Sequence, residues 1–352
     1  MKKRKILFLG ETYRADAITW INGLKEFGDF EIISWELKTT SHGKFRRIIR
    51  LLEYFSAPLQ IKKLIKSYQP DMVIAERTTS YGFLAVICGI KISAIAQQGK
   101  TDLWPLHSIS YPLKKIIQNY AFKKATLIHA WGPVMANYMK KVNVNMTKVL
   151  VLPKGIDLSK FKNLNTADPN KICAIVTRSL LPVYSHDSIL NAFAIIHQKE
   201  IDFSLIIIGD GTQLKNLKNL AHKLNIEDKV LFKGRIPNIE LPQLLQAANF
   251  YISMPLTEGV SASLFEAMAS NCYPIVTDIE GNQSWVKHRE NGQLIPVNDY
   301  EALAESIIWA FENKLHHSES ILQNRKFIEE YANYQKNMRI IADKYHELIS
   351  NK

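Results

Sequence analysis

The chain has 352 residues, an apolar fraction of 47%, a charged fraction of 22% and a formal net charge of +12. Those proportions belong to an ordinary globular protein long enough for two cores, and they exclude a disordered or fibrous chain. Cys88, Cys173 and Cys272 lie far apart in apolar surroundings, so neither a disulfide framework nor a zinc site is expected and a reducing cytoplasm fits best.

Met1 to Lys5 has the charge of a secretion signal, but the apolar run Ile6 to Leu9 is too short to complete one. The strand pattern begins there: Lys5 to Leu9 closes on Gly10, and Ala15 to Glu26 follows as a helix. Phe30–Trp35, Asp71–Ala75, Lys91–Ala96, Ala125–Ala130 and Lys148–Leu152 are further strands, which make a first α/β domain over residues 1–160. The longest apolar stretch, Phe83 to Ala96, contains Lys91 and falls below the ~18 residues of a membrane span, so none is expected.

Charge is placed unevenly. Residues 1–160 carry 26 Lys/Arg against 11 Asp/Glu, whereas residues 161–352 carry 19 against 22. A basic first half implies a face that meets something anionic. Its densest part runs from Lys44 to Phe55, with Lys62, Lys63 and Lys66 after it. On a helix Ile48, Leu52 and Phe55 share one side, and Arg46 and Arg50 share another. Such a helix either packs on the core with a solvated charged face or lies on anionic lipid, at the inner face of the cytoplasmic membrane. No nucleic-acid-binding module accompanies the charge, so nucleic acid is not an expected partner.

Lys162 to Lys171 is polar and reads as a linker. A second strand series follows: Ile172–Val176, Phe203–Ile208, Val230–Phe232, Phe250–Ser253 and Pro274–Thr277. Helices at Ile189–His197, Thr212–Leu224 and Glu240–Ala248 separate them, giving a second domain over 161–330. Glu319 to Ile349 is helical in character and free of Pro and Gly. The fold class is therefore α/β, two doubly wound Rossmann-like domains, with ligand expected at the carboxyl ends of their strands in a central cleft.

Residues 249–280 carry the chemistry. A short strand, a polar turn containing Gly259 and a helix starting near Ser261–Ser263 form a strand–loop–helix unit, whose free amides and dipole suit a phosphate. Glu258 precedes the helix and Glu266 lies about one turn inside it. A carboxylate accepts two hydrogen bonds and suits the vicinal hydroxyls of a ribose or hexose. A nucleotide sugar needs an anion cradle with such a clamp on each side.

Glu258-Gly259, Glu266-Ala-Met-Ala, Pro274-Ile-Val-Thr-Asp278, Gly281-Asn282 and Asn291-Gly292 resemble the Glu-x7-Glu region of family 4 (group 1) retaining glycosyltransferases. Pro296 to Ala304 resembles the segment that closes the family's second domain. The resemblance covers roughly residues 150–310 well and the first half loosely. It implies a GT-B-like architecture, with a C-terminal helix over 330–352 returning to the first domain. It further implies a nucleotide-diphosphate sugar donor, no metal or other cofactor, and a glycan or lipid-linked acceptor in surface polysaccharide or lipopolysaccharide synthesis. By the same resemblance Glu266 would hold the ribose and Glu258 the transferred sugar. Arg178 with the amides of Gly259, Val260, Ser261, Ala262 and Ser263 would take the diphosphate, Gly10 would approach it from the first domain, and Arg235 and Ile236 would line the base pocket.

Two positions depart from the family. Tyr184 stands where a second diphosphate-binding lysine is usual, and Gln98, with Asp102 nearby, where a histidine is common. These departures keep a catalytically lapsed sugar-nucleotide-binding subunit as an alternative. A sugar-nucleotide epimerase is another, on architecture alone. Ile208-Gly209-Asp210-Gly211 reads equally as a nucleotide turn or a tight structural turn.

Overall fold

The structure, a computed structural model, describes residues 3–39, 44–103, 108–162 and 164–351; the side chains of residues 44–47 and 314–317 lie outside that description, Arg46 and Arg47 among them. It divides into two compact units, Met1–Lys154 with Tyr334–Lys352, and Gly155–Asn333. The expected boundary at 160/161 therefore moves to 154/155. The reason is packing: Ile156 is buried in the core of the second unit.

The first unit runs β1 (Lys5–Leu9), α1 (Ala15–Gly28), β2 (Glu31–Trp35), α2 (Lys44–Tyr68), β3 (Met72–Glu76), α3 (Phe83–Ile87), β4 (Ser93–Gln97), α4 (Tyr111–Lys124), β5 (Leu127–Ala130), α5 (Pro133–Lys141) and β6 (Val149–Val151). Its sheet is parallel in the order β2-β1-β3-β4-β5-β6. β3, β4 and β5 are buried along their whole length, which explains their near-continuous apolar runs. Right-handed crossovers put α1 on one face, because β1 to β2 steps one way. They put α2, α3 and α4 on the other, because the next three crossings step back.

The second unit runs β7 (Ile172–Thr177), α6 (His186–Gln198), β8 (Phe203–Ile208), α7 (Leu214–Lys223), β9 (Val230–Gly234), α8 (Leu241–Gln246), β10 (Phe250–Ser253), α9 (Ala262–Ala269), β11 (Tyr273–Thr277), α10 (Glu280–Gln283), β12 (Gln293–Ile295), α11 (Tyr300–Glu312) and α12 (Lys314–Tyr331). Its parallel sheet has the order β12-β11-β10-β7-β8-β9. The strand period of two splits its core: Ile172, Ala174 and Val176 join one apolar cluster and Ile175 the other.

The last helix, α13 (Tyr334–Ser350), belongs to the first unit and packs on α1. Tyr345 closes a buried aromatic box there, its hydroxyl 2.6 Å from His129 Nε2, with Trp20 and Trp131 on the imidazole. Sequence pattern alone runs one helix from Glu319 to Ile349. The structure breaks it at Ala332–Asn333, where the Ile156 amide takes the Ala332 carbonyl at 2.8 Å and Ile156 bridges Asn333. A tertiary hydrogen bond ends α12 without Pro or Gly.

The basic stretch turns its apolar side away from the core. Ile48, Leu52 and Phe55 are exposed, and Ala57 and Ile61 provide the buried side of α2. Arg50 turns inward to Glu11 at 2.9 Å. Of the two readings of this helix, packing of the Ile48, Leu52 and Phe55 side on the core is not the one observed, since that side faces outward.

Candidate functional site

In a doubly wound sheet, loops diverge where strand order reverses, and side chains at those carboxyl ends face a crevice. In the second unit the reversal lies between β7 and β10. Arg178 is the first residue after β7, and the β10–α9 loop holds Glu258. Sequence proximity does not bring these segments together; the sheet does.

Arg178 Nη2 stands 2.7 Å from Glu258 Oε2, an ion pair without hydrogen-bond alignment. Its Nε donates to Ser253 Oγ at 3.2 Å, and Nη2 also donates to Ser261 Oγ. Ser261 is buried and caps α9, its Oγ accepting from the Leu264 amide at 3.1 Å. One hydroxyl therefore fixes both the helix start and the guanidinium. The amides of Ala262 and Ser263 precede the helical ladder, and the dipole adds partial positive charge to the arginine's full one. Ser263 Oγ donates to the Thr177 carbonyl at 3.3 Å, tying α9 to the end of β7. The Gly259 amide donates to Glu258 Oε1 at 3.1 Å, and Val260 packs against the apolar cluster beneath.

Glu266 is half-buried one turn into α9. Burial pushes its pKa up to about 7, against the pull of Arg178. Near neutrality that carboxyl is about half ionised, and hydroxyl donors would favour its charged form. Tyr184, in the lysine's expected place, lays its ring 5.4 Å from the guanidinium of Arg178. It supplies no charge but supports the arginine by cation–π contact. His186 is buried beside that ring, and burial lowers its pKa to about 4.

Three glycines fix this geometry by close approach. A Cβ on Gly209 would lie 2.2 Å from the Arg178 carbonyl oxygen, and one on Gly211 2.3 Å from that of Leu180. A Cβ on Gly281 would lie 2.4 Å from the Glu258 carbonyl oxygen. The glycine turn after β8 is thus the support on which the arginine loop rests. Arg235 is exposed just beyond β9, and Ile236 packs on the apolar cluster; neither contacts Arg178 or Glu258 in the described hydrogen bonds and ion pairs.

The first unit reverses order between β1 and β3, and a second polar group stands there. Gly10 is buried at the end of β1, where a Cβ would meet the Phe8 ring at 2.7 Å. Gln98 donates to Glu76 Oε1 at 2.9 Å, and Glu76 is buried with its other oxygen unpartnered. Burial raises the pKa of Glu76. Asp102 accepts the Thr78 amide, at the head of a π-helical turn over Thr78–Gly82. Glu11 meets three arginines, Arg14, Arg50 and Arg77. Burial alone would raise its pKa, but the Arg77 and Arg50 guanidiniums hold it at about 2. Sequence reading missed Glu11, Glu76 and Arg77; the one available signal was their position at the ends of β1 and β3.

A family model described as glycosyl transferases group 1 matches residues 157–333, and one described as glycosyl transferase 4-like matches residues 5–130. The chain belongs to the group 1 glycosyl transferases. Its sequence is 27% identical over 230 residues to an Escherichia coli UDP-Gal:alpha-D-GlcNAc-diphosphoundecaprenol alpha-1,3-galactosyltransferase, covering 61% of this chain and 58% of that protein. The Anabaena protein HepE, solved with UDP and glucose, superposes with a TM-score of 0.78 at 16% identity, over 98% of this chain and 100% of that one. The lipopolysaccharide outer core galactosyltransferase WaaB superposes at 0.74 with 15% identity, over 97% and 99%. Two Rossmann-like units of the GT-B fold are thereby established, together with membership of a glycosyl transferase family. Among the described residues no three His, Cys, Asp or Glu side chains converge as a metal site would require, and no helix is long and apolar enough to cross a membrane.

Proposed function

We propose that this group 1 glycosyl transferase moves a hexose from a nucleoside-diphosphate sugar to an acceptor hydroxyl with retention, without a bound metal. The observation that carries the reading is one cation, Arg178, held by Ser253, Ser261 and Glu258 at the head of α9. In the reaction the bond from the anomeric carbon to the β-phosphate oxygen breaks, and the acceptor oxygen bonds to the same face. The departing phosphate takes the acceptor's proton. Negative charge grows on the diphosphate, where the guanidinium and the α9 amides stabilise it. Donor binding would displace Arg178 Nη2 from Glu258, freeing that carboxylate for the sugar's hydroxyls. Glu266 then takes the ribose diol, Gly10 approaches the diphosphate, Gln98 hydrogen-bonds a substrate hydroxyl, and Arg235 and Ile236 line the base pocket.

The acceptor we propose is a glycan or lipid-linked sugar of a surface polysaccharide or lipopolysaccharide, presented at an anionic membrane surface from the cytoplasmic side. A relative named for a diphosphoundecaprenol-linked acceptor and a structural neighbour named for the lipopolysaccharide outer core support that class. The test is nucleoside-diphosphate release from a panel of nucleotide sugars, with and without lipid-linked acceptors, in EDTA. Acceptor-dependent turnover of one donor is expected. Interconversion of the donor without any acceptor would indicate an epimerase, and binding without turnover a lapsed subunit.

A further inference from the structure

Two helices of the first unit turn apolar residues outward at the same spacing. α2 exposes Ile48, Leu52, Phe55 and Leu59, the last two at 71% and 74% of full accessibility. The turn into α4 and α4 itself expose Ile109, Leu113, Ile116 and Tyr120. Steps of four, three and four residues keep each set on one side of its helix. Both helices pack on α3, in the layer that right-handed crossovers place on one face of the sheet. Their inner sides are already filled, by Ala57 and Ile61 of α2 and by Ala121 and Phe122 of α4. Rows of exposed apolar side chains of this kind mark an interaction site.

Charge identifies the occupant. α2 carries seven Lys/Arg and α4 four, against the single acid Glu53. Glu53 is itself committed, accepting the amides of Lys38 and Thr39. Lys62, Lys63, Lys66, Lys115, Lys123 and Lys124 are exposed. Lys124 Nζ lies 5.9 Å from the centroid of the Tyr120 ring, a phenol at the end of an apolar row. Apolar ridges rimmed by lysines and closed by a tyrosine match the boundary between acyl chains and anionic headgroups.

We propose that α2 and α4 seat the first unit on an anionic bilayer, with both ridges inserted into the acyl boundary. This deepens the membrane partner named above and rests on that reading. It differs from adsorption by charge alone, since Arg50 is engaged by Glu11 and apolar side chains make the contact. Insertion would hold the unit beside a lipid-linked acceptor while the second unit takes its soluble donor.

The experiment uses the full chain with vesicles of phosphatidylcholine, alone or mixed with phosphatidylglycerol. Sedimentation with the mixed vesicles is expected, and a substantial part of it should survive high salt. The double change Leu52→Asp, Phe55→Asp should weaken binding by about ten-fold or more. Its thermal midpoint and affinity for UDP should match the wild type, since both side chains face solvent. A Phe55→Trp variant should be quenched by lipids brominated on their acyl chains. Complete release by salt without quenching would overturn insertion. So would unchanged binding of the double variant, or a wild-type dimer that the double change separates while neither form binds vesicles. Loss of all nucleotide binding, with quenching intact, would instead sink the transferase reading and leave this one standing.

Discussion

At the scale of single residues, the proposed chemistry rests on Arg178. Arg178→Ala removes the cation and strands a carboxylate, so donor turnover should fall about 10²–10³-fold. Arg178→Lys keeps the charge but loses the planar fork that reaches Ser253, Ser261 and Glu258 together, and should fall less. Steady-state rates of the two variants check the order, and equal wild-type rates would remove Arg178 from the site. Glu266 gives a second, independent readout. With its pKa pushed up to about 7, it is largely protonated below neutrality, and in the proposed ribose role it releases a proton as hydroxyl donors bind. Nucleoside-diphosphate affinity should therefore rise as pH increases through about 7. Calorimetry in buffers of different ionisation enthalpy should show proton release, and Glu266→Gln should abolish it.

Glu11 titrates in the opposite sense. Its folded pKa of about 2 lies below the ordinary carboxylate value of 4.5, so its stabilising contribution is fully present above that value. That contribution, up to ~3 kcal/mol, is lost as pH falls toward 2. Glu11→Gln should flatten that part of the acid-unfolding curve, measured by circular dichroism.

At the scale of elements, the strand–loop–helix unit over residues 249–280 was legible because its signals are local. An apolar run, a Gly-bearing turn and the cap residue Ser261 lie within a dozen positions. The pairing of Arg178 with Glu258 was not legible in the same way, since 80 residues separate them and only the β7–β10 register brings their loops together. The resemblance to a family supplied that link. The α2 face stayed open between core and lipid because helical periodicity shows that an apolar side exists and is silent on which way it points; in the structure Ile48, Leu52 and Phe55 face outward. The α12–α13 break was invisible because it depends on a hydrogen bond from Ile156, far away in sequence. Gly209 and Gly211 read as a weak nucleotide turn, and only the structure shows the Arg178 loop resting on them. Gly209→Ala has no room and an unfavourable φ of 142°, so it should cost about 2–3 kcal/mol and loosen Arg178. A lower thermal midpoint with weakened nucleoside-diphosphate binding is the expected result, and an unchanged midpoint would refute the packing role.

At the scale of the whole molecule, two parallel sheets repeat one design, a polar group at the reversal of strand order. The second unit offers a cation, a helix dipole and two carboxylates. The first offers a carboxylate held by three arginines and another hydrogen-bonded by Gln98. The proposed charged donor belongs on the unit that offers the cation and the helix dipole. The most direct test is nucleoside-diphosphate release from a panel of nucleotide sugars, in EDTA, by the wild type and by Arg178→Ala. The expected result is that one donor turns over in the wild type and falls at least about 10²-fold in the variant. Equal rates in the two proteins, or activity abolished by EDTA and restored by a divalent ion, would contradict an arginine-centred, metal-free transfer.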